Sequence, residues 1–204
     1  MDRLRSLNRA LQVGLLGILA LGVLTRNVSV VVNATAGFGV TLLPAVLARD
    51  RQLLLDPRFT LVVTVAVFLH SVGMVGLYDR VWWWDHLTHT LSATVVSIIA
   101  YTVVWAVDVY DDDLYLPPPV TTVFVLTFVL AVGVLWEVSE FVAREVAIML
   151  GQEPVLVLYG LEDSMLDLVF DMVGAIAVTV LATTRLRRWG EELADWLDRR
   201  LEAS

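Results

Sequence analysis

The sequence predicts an all-α polytopic membrane protein with about six transmembrane helices, followed by an amphipathic helix. Of its 204 residues, 58% are hydrophobic, whereas soluble domains contain ~45–50% apolar residues. Several apolar segments approach the ~20 residues that a helix needs to cross a bilayer. The net charge of −8 comes without a basic stripe, so the sequence argues against nucleic-acid binding.

Cysteine and lysine are both absent from the chain. Without cysteine there can be neither disulfides nor thiolate metal sites. All 14 basic residues are arginine, in a chain with an excess of acids. This composition favours a high-salt, haloarchaeal source, and it carries no information about function.

Short polar breaks divide the apolar sequence into six predicted spans. Thr25-Arg26-Asn27 separates the first two, a charged loop ending in Pro57-Arg58 precedes the third, and Trp82-Trp83-Trp84 opens the fourth. A loop rich in aspartate and proline, from Asp108 to Pro119, separates the fourth from the fifth. The predicted spans are residues 10–25, 28–48, 60–78, 84–107, 120–150 and 164–184.

The arginines predict the orientation of the bundle. Three precede the first span, three follow the second and five follow the sixth, whereas only one follows the first and one the third. Because positively charged loops stay on the cytoplasmic side, we expect a multi-pass protein of the cell membrane with both termini in the cytoplasm.

The C-terminal tail repeats apolar residues at helical spacing. They recur every three or four positions, which gives one apolar face: Leu186, Trp189, Leu193, Trp196, Leu197 and Leu201. We interpret residues 1–184 as the transmembrane bundle and residues 185–204 as a cytoplasmic amphipathic helix on the inner leaflet. A helix that binds a partner protein is the alternative.

Ionisable residues inside the apolar spans are the candidate functional residues, because such groups are costly in a membrane. A rise of about 1.5 Å per helical residue places them all in the outer half of the bundle. They lie on four spans: His70; Asp85, His86 and His89; Glu137 and Glu140; Asp163, Asp167 and Asp171.

Their spacing brings like charges onto common helix faces. Residues three or four apart are neighbours on a helix. Glu137 and Glu140 therefore share one helix face, and Asp163, Asp167 and Asp171 follow one another at four-residue intervals along one face of another helix. A bound cation, protonation or pairing with arginine would relieve the repulsion. Imidazoles with carboxylates suit zinc, manganese or iron. The sequence therefore predicts a divalent metal of unknown identity, with five ligands: His86, His89, Glu137, Asp167 and Asp171.

The remaining acids receive supporting roles in this hypothesis. Asp85 would orient His89 by accepting its second ring N–H. Glu140, or another carboxylate such as Glu137, would act as general base.

Structural interpretations compete with each of these. Trp82–Trp84 is typical of an interfacial aromatic belt, His70 of a hydrogen bond between helices, and Asp163 of a helix cap. Glu140 has Arg144 as a possible partner one turn away, and the whole set could be a purely structural polar network. Gly174 and Ala175 predict close helix packing.

Together the motifs resemble those of a known family. Asp85-x-x-x-His89, Glu137-x-x-Glu140-Phe141 and Asp163-x-x-x-Asp167-x-x-x-Asp171, followed by Gly174-Ala175, are similar to the signature of the YjdF-like inner-membrane proteins, and more remotely of the VanZ-like membrane proteins. The resemblance covers roughly residues 60–180. It implies a small polytopic bundle with these residues as its signature, and it supplies little about activity.

The preferred hypothesis is a metal-dependent enzyme that acts at the outer leaflet on a lipid or lipid-linked substrate. One alternative is a proton- or cation-coupled transporter that uses the carboxylates as relays. A structural membrane subunit with a buried polar network is the third possibility. The sequence leaves the substrate, the reaction and the oligomeric state open.

Overall fold

Seven α-helices make up the protein, as a computed structural model of residues 2–47, 56–111, 113–152, 154–156, 159–181 and 184–201 shows. No strand occurs in these ranges, and the predicted all-α membrane bundle is confirmed. A helix lies on each predicted span and on the tail. The helices are α1 Asp2–Thr25, α2 Val28–Leu47, α3 Pro57–Val72, α4 Trp84–Tyr110, α5 Pro118–Met149, α6 Leu161–Val180 and α7 Thr184–Leu201.

Among the described residues, fewer helices than the predicted six are long and apolar enough to cross a membrane unaided. Four of them qualify: α1, α3 with the turn that extends it, α4 and α5, and a fifth is added if α6 and α7 form one bent span. Within the described part of α2, Val28–Pro44 counts as a shorter apolar helix. α6 is 20 residues long, but four acids interrupt its apolar character: Glu162, Asp163, Asp167 and Asp171.

Side-chain caps fix the starts of α2 and α3. Asn27 Oδ1 accepts a hydrogen bond from the Val30 backbone N–H at 3.0 Å, directly after Arg26 has reversed the chain with a φ of 56°. Asp56 Oδ1 accepts from the Arg58 N–H at 2.7 Å, and Pro57 occupies the first turn. These residue types are the ones that favour helix starts, so the predicted breaks become defined turns.

A π-helical turn, Gly73–Leu77, extends α3 toward the end of the bundle where α4 begins with its ionisable residues. Gly76 adopts a φ of 114°, a conformation that glycine tolerates best. The ring of Tyr78 folds back over Gly73, where a Cβ atom would overlap it. The Tyr78 hydroxyl consequently reaches Nδ1 of His70, 2.7 Å away.

α4 is the central helix, since α3, α5, α6 and α7 all pack against it, while α1 and α2 pack on α3 and on each other. The closest approach is between α4 and α6. A Cβ atom on Gly174 would overlap the carbonyl oxygen of Thr90, and Ala175 is fully buried. The predicted role of these two small residues in close packing is confirmed.

The tail forms the predicted helix, and part of its apolar face rests on the bundle. Leu186 and Ala194 are buried, and Gly190 lies against the indole of Trp105 in α4. The Arg187 guanidinium sits 4.7 Å above the same indole. Whether this helix also touches the inner leaflet stays a prediction.

The three tryptophans at the start of α4 differ in environment. Trp82 and Trp83 are exposed, as expected of an aromatic belt. Trp84 instead donates a hydrogen bond from Nε1 to the Leu69 carbonyl at 3.1 Å. That bond attaches the first turn of α4 to α3, and so helps to hold the neighbouring polar residues in place.

Candidate metal centre

Three helices bring the predicted site residues together at one end of the bundle. The first two turns of α4 supply Asp85, His86 and His89, the second half of α5 supplies Glu137 and Glu140, and the first half of α6 supplies Asp167 and Asp171. His86, both glutamates and both of these aspartates are buried. The spacings that the sequence shows place each group on the face that its helix turns inward.

The imidazole of His89 lies at the centre of these acids. Its Nδ1 atom is 3.2 Å from Oδ1 of Asp171. Its Nε2 atom faces three other carboxylates: Asp85 at 3.8 Å, Asp167 at 3.9 Å and Glu137 at 4.0 Å. Each ring nitrogen therefore has a different environment.

This arrangement suits a neutral imidazole that donates from one nitrogen and binds a cation with the other. A proton on Nδ1 can be donated to Asp171, which leaves the Nε2 lone pair directed at the three acids. Metal-binding histidines generally donate their second N–H to a carboxylate in this way. One ligand atom each from Asp85, His89 and Asp167 lies within 4.8 Å of the others, close enough to hold a metal ion.

Glu137 gives an independent sign that a cation belongs here. Its side chain is 10% exposed, and both of its carboxylate oxygens are buried without a hydrogen-bond partner among the described residues. A buried carboxylate with no partner is strongly destabilising unless a cation or a proton neutralises it. Its Oε1 atom lies on the Nε2 side of His89, so this carboxylate faces the same position as the ligand atoms of Asp85, His89 and Asp167, the group of three.

Arginine does not neutralise these acids in the part of the chain that the structure describes, where every close ion pair of the cluster involves a histidine. Arg144 is exposed, and the ion pair with Glu140 that the sequence allowed is not formed. Of the three ways to relieve the repulsion, pairing with arginine is therefore excluded for the described residues.

His86 contacts the cluster only through one acid. Its Nδ1 atom lies 3.4 Å from Oδ1 of Asp167, and its ring stacks on Phe170 with centroids 4.4 Å apart. It does not belong to the group of three residues that could share one ion. The position of His86 thus suits a side chain that orients Asp167 rather than one that binds the ion.

A cavity of about 370 Å³ adjoins the cluster and is lined at its polar end by Asp85, His89, Glu140 and Asp171. Glu140 is 8% exposed and lies one turn after Glu137 on the same face of α5. Asp163 is half-buried and lies one turn before Asp167, outside both the cavity lining and the group of three. The structure therefore separates the acids that line the cavity, Asp85, Glu140 and Asp171, from those outside its lining, Glu137, Asp163 and Asp167.

The sequence did not predict that His70 belongs to a hydrogen-bond chain beside the cluster. Asn33 Nδ2 donates to the carbonyls of Ser29 and Val155, at 3.0 and 2.9 Å, so Asn33 Oδ1 is left to accept from Nε2 of His70 at 3.1 Å. Nδ1 of His70 must then accept from the Tyr78 hydroxyl. His70 thus forms the bond between helices that the structural interpretation expected, and it orients Tyr78 at the cavity wall. The two nearby glycines, Gly73 and Gly76, are the sequence feature that could have indicated the π-helical turn on which this chain depends.

The segment between α5 and α6 is tied across the same end of the bundle. The Val155 carbonyl accepts from Ser29 Oγ at 2.7 Å as well as from Asn33, and the Tyr159 hydroxyl donates to Asp79 at 2.8 Å. Partial burial, together with that hydrogen bond, raises the pKa of Tyr159 above its ordinary value. Leu156, next to Val155, lines the cavity.

Comparison with known proteins identifies a family that the chain matches. Residues 7–188 match the family described as "Predicted membrane protein (DUF2238)". An uncharacterized protein of Thermotoga maritima is 29% identical over 181 residues, which is 85% of this chain and 86% of the relative. No solved structure matches. The family match is consistent with the predicted YjdF-like resemblance, whereas the remoter likeness to VanZ-like proteins is not shown.

Proposed function

The chain belongs to the DUF2238 family of predicted membrane proteins, and on that premise we propose that it is a membrane-embedded enzyme with one divalent metal ion. One observation carries the proposal. His89 turns Nε2 toward three carboxylates while Asp171 lies against Nδ1. Both oxygens of one of those three, Glu137, are buried without a hydrogen-bond partner in the part of the chain that the structure describes.

The distances favour a revised division of roles. We propose His89, Asp85, Asp167 and Glu137 as the ligands, because their atoms share the Nε2 side of the ring. Asp171 is then a positioning residue that holds the His89 ring, and His86 is one that holds Asp167. The sequence had suggested the opposite roles for Asp85 and Asp171, and had counted His86 among the ligands.

The donor set limits the identity of the ion. One imidazole nitrogen with three carboxylates suits zinc, manganese or iron better than magnesium or calcium, which prefer oxygen alone. When bound, such an ion supplies Lewis acidity toward a carbonyl or phosphoryl oxygen, or activates a water molecule. Glu140 faces the cavity beside this centre, so it is placed to accept a proton from a substrate or from water.

The substrate class follows from the cavity and from the membrane. The polar end of the cavity meets the proposed centre, whereas most of the remaining lining is apolar, including Val67, Val96 and Val129. A relay for protons or cations needs ionisable groups on both sides of the site, and the apolar wall offers none. The arrangement supports an enzyme that acts on a lipid or lipid-linked substrate, at the outer leaflet if both termini are cytoplasmic as the arginines predict.

Metal analysis of the purified protein tests this proposal. The protein in detergent is incubated with zinc, manganese or ferrous iron, desalted, and analysed for metal per chain. We expect about one equivalent of one of these metals, because the four proposed ligands surround a single position. His89→Ala should lose it, while His70→Gln, which changes a histidine outside the ligand set, should retain it. Absence of stoichiometric metal from the wild type, or its retention by His89→Ala, overturns the proposal.

A further inference from the structure

The cavity that ends at the candidate metal centre also opens to the side of the bundle. Two of the helices that line it are α2, through Ala36 and Val40, and α5, through Val132 and Trp136. Among the described residues these two helices do not pack closely on each other, since α2 packs on α1 and α3, and α5 packs on α4 and α6. Ala36, Val40 and Trp136 are exposed although they line the cavity. The opening therefore lies between α2 and α5.

Access from the polar end is obstructed. Leu156 lines the cavity there, and the neighbouring Val155 carbonyl is fastened to α2 by two hydrogen bonds, from Ser29 and Asn33. A molecule that enters from water past Leu156 would have to displace this segment. A molecule that arrives from the hydrocarbon of the bilayer passes between α2 and α5 without disturbing it.

The shape and chemistry of the cavity suit one hydrocarbon chain. Its volume of about 370 Å³ is near the lower end of the ~300–1,000 Å³ that is usual for ligand pockets, which suits part of one hydrocarbon chain better than two chains side by side. Its apolar wall runs from His89 to Val96 along α4, which is seven residues or roughly 10 Å. Apolar cavities do not retain water, and an unfilled one forfeits dispersion contacts with its lining.

Resting on the proposed function, we infer that the substrate is a lipid whose single hydrocarbon chain enters sideways between α2 and α5 and lies along this apolar wall, with its polar head against Asp85, His89 and Glu140. The helix arrangement thus favours a substrate that enters from the bilayer over one that enters from water. Trp136, on the α5 side of the opening, is well placed to contact the chain near its head.

Photo-crosslinking tests the chain site. The probe is a monoacylglycerol with a C16 chain that carries a diazirine. Its uncharged head is not repelled by the carboxylates, so binding does not require the metal. We expect labelled peptides from the cavity walls of α2, α4 and α5. Excess unmodified monoacylglycerol should suppress that labelling and leave the labelling of outward faces unchanged.

Two variants and a matched control locate the site. Val132→Trp and Val40→Trp fill the opening from its two sides, and each should abolish wall labelling. Val134→Trp adds the same bulk to an exposed position of α5 outside the cavity and should leave wall labelling intact. Labelling that is spread over lipid-facing surfaces, or that neither competitor nor filling variant reduces, overturns the inference.

The two proposals fail separately. Stoichiometric metal without competable wall labelling leaves the metal centre standing and overturns the lateral chain site. Competable wall labelling in a protein that binds no metal supports the chain site and overturns the metal-dependent enzyme.

Discussion

The Nδ1 atom of His89 lies 3.2 Å from Oδ1 of Asp171, on the opposite side of the imidazole from the nitrogen that faces the other acids. This pair joins α4 to α6 and determines which ring nitrogen is available to a metal. Its consequences can be tested by single substitutions at and around this pair.

Asp171→Asn should weaken metal binding without abolishing it. The amide oxygen can still accept from Nδ1–H, but it no longer increases the basicity of the ring. Loss of such a supporting carboxylate typically costs ~10–100-fold in metal affinity. Competition with a chromogenic chelator measures the change. Asp163→Asn, two turns earlier on the same stripe of α6, is the matched control and should bind as the wild type does; an equal loss in both variants contradicts a specific role for Asp171.

Glu137→Gln should stabilise the metal-free protein and impair the metal-bound one. An amide removes the buried charge, for which the structure shows no hydrogen-bond partner, and unsatisfied buried groups cost ~1–3 kcal/mol, or more when charged. Thermal unfolding in detergent, with and without a chelator, separates the two effects: the variant's Tm should exceed that of the wild type only without metal. Glu145→Gln, at an exposed position of α5, should change neither Tm. A lower Tm of Glu137→Gln in chelator would show that the carboxylate is structurally satisfied.

Gly133→Ala should disturb the centre from α5. A Cβ atom at this position would overlap Oδ2 of Asp171, which must swing away and so lose its position against His89. We expect reduced metal affinity with a helix content, measured by circular dichroism, that is unchanged. Gly17→Ala, where a Cβ atom meets nothing within 4 Å, controls for the general effect of alanine in a helix. Metal affinity equal in the two variants would mean that Asp171 does not depend on this space.

His86→Phe discriminates between the two possible ligand assignments. If His86 only positions Asp167, as the 3.4 Å contact indicates, the phenyl ring keeps the stack on Phe170 and the protein still binds one equivalent of metal, with lower affinity. If His86 is itself a ligand, as the sequence suggested, stoichiometric binding is lost. Isothermal titration with zinc distinguishes a changed affinity from a changed stoichiometry.

The sequence predicted the positions of the helices because apolar length and polar breaks, such as Thr25-Arg26-Asn27 and the loop ending in Pro57-Arg58, are local signals. It also identified the acids and histidines that meet, since residues three or four apart on a helix must share a face. It could not predict which nitrogen of His89 each acid approaches. That depends on how far α5 and α6 rotate against α4, and Gly133 and Gly174 set that rotation through contacts with residues distant in sequence.

Two further features depend on tertiary packing in the same way. The Asn33–His70–Tyr78 chain requires the π turn that folds Tyr78 over Gly73, and no apolar periodicity signals it. The predicted pairing of Glu140 with Arg144 followed from spacing alone, but Arg144 lies on an exposed face while Glu140 faces the cavity. A spacing of four residues permits a contact and does not ensure it.

The most direct test of the central claim is a crystal structure of the metal-loaded protein with diffraction data collected at the absorption edge of the bound metal. The account predicts one anomalous peak on the Nε2 side of His89, in contact with Asp85, Asp167 and Glu137, and no peak between Nδ1 and Asp171. A protein that binds no metal under these conditions, or a peak on His86 and Asp171 away from Nε2 of His89, would contradict it.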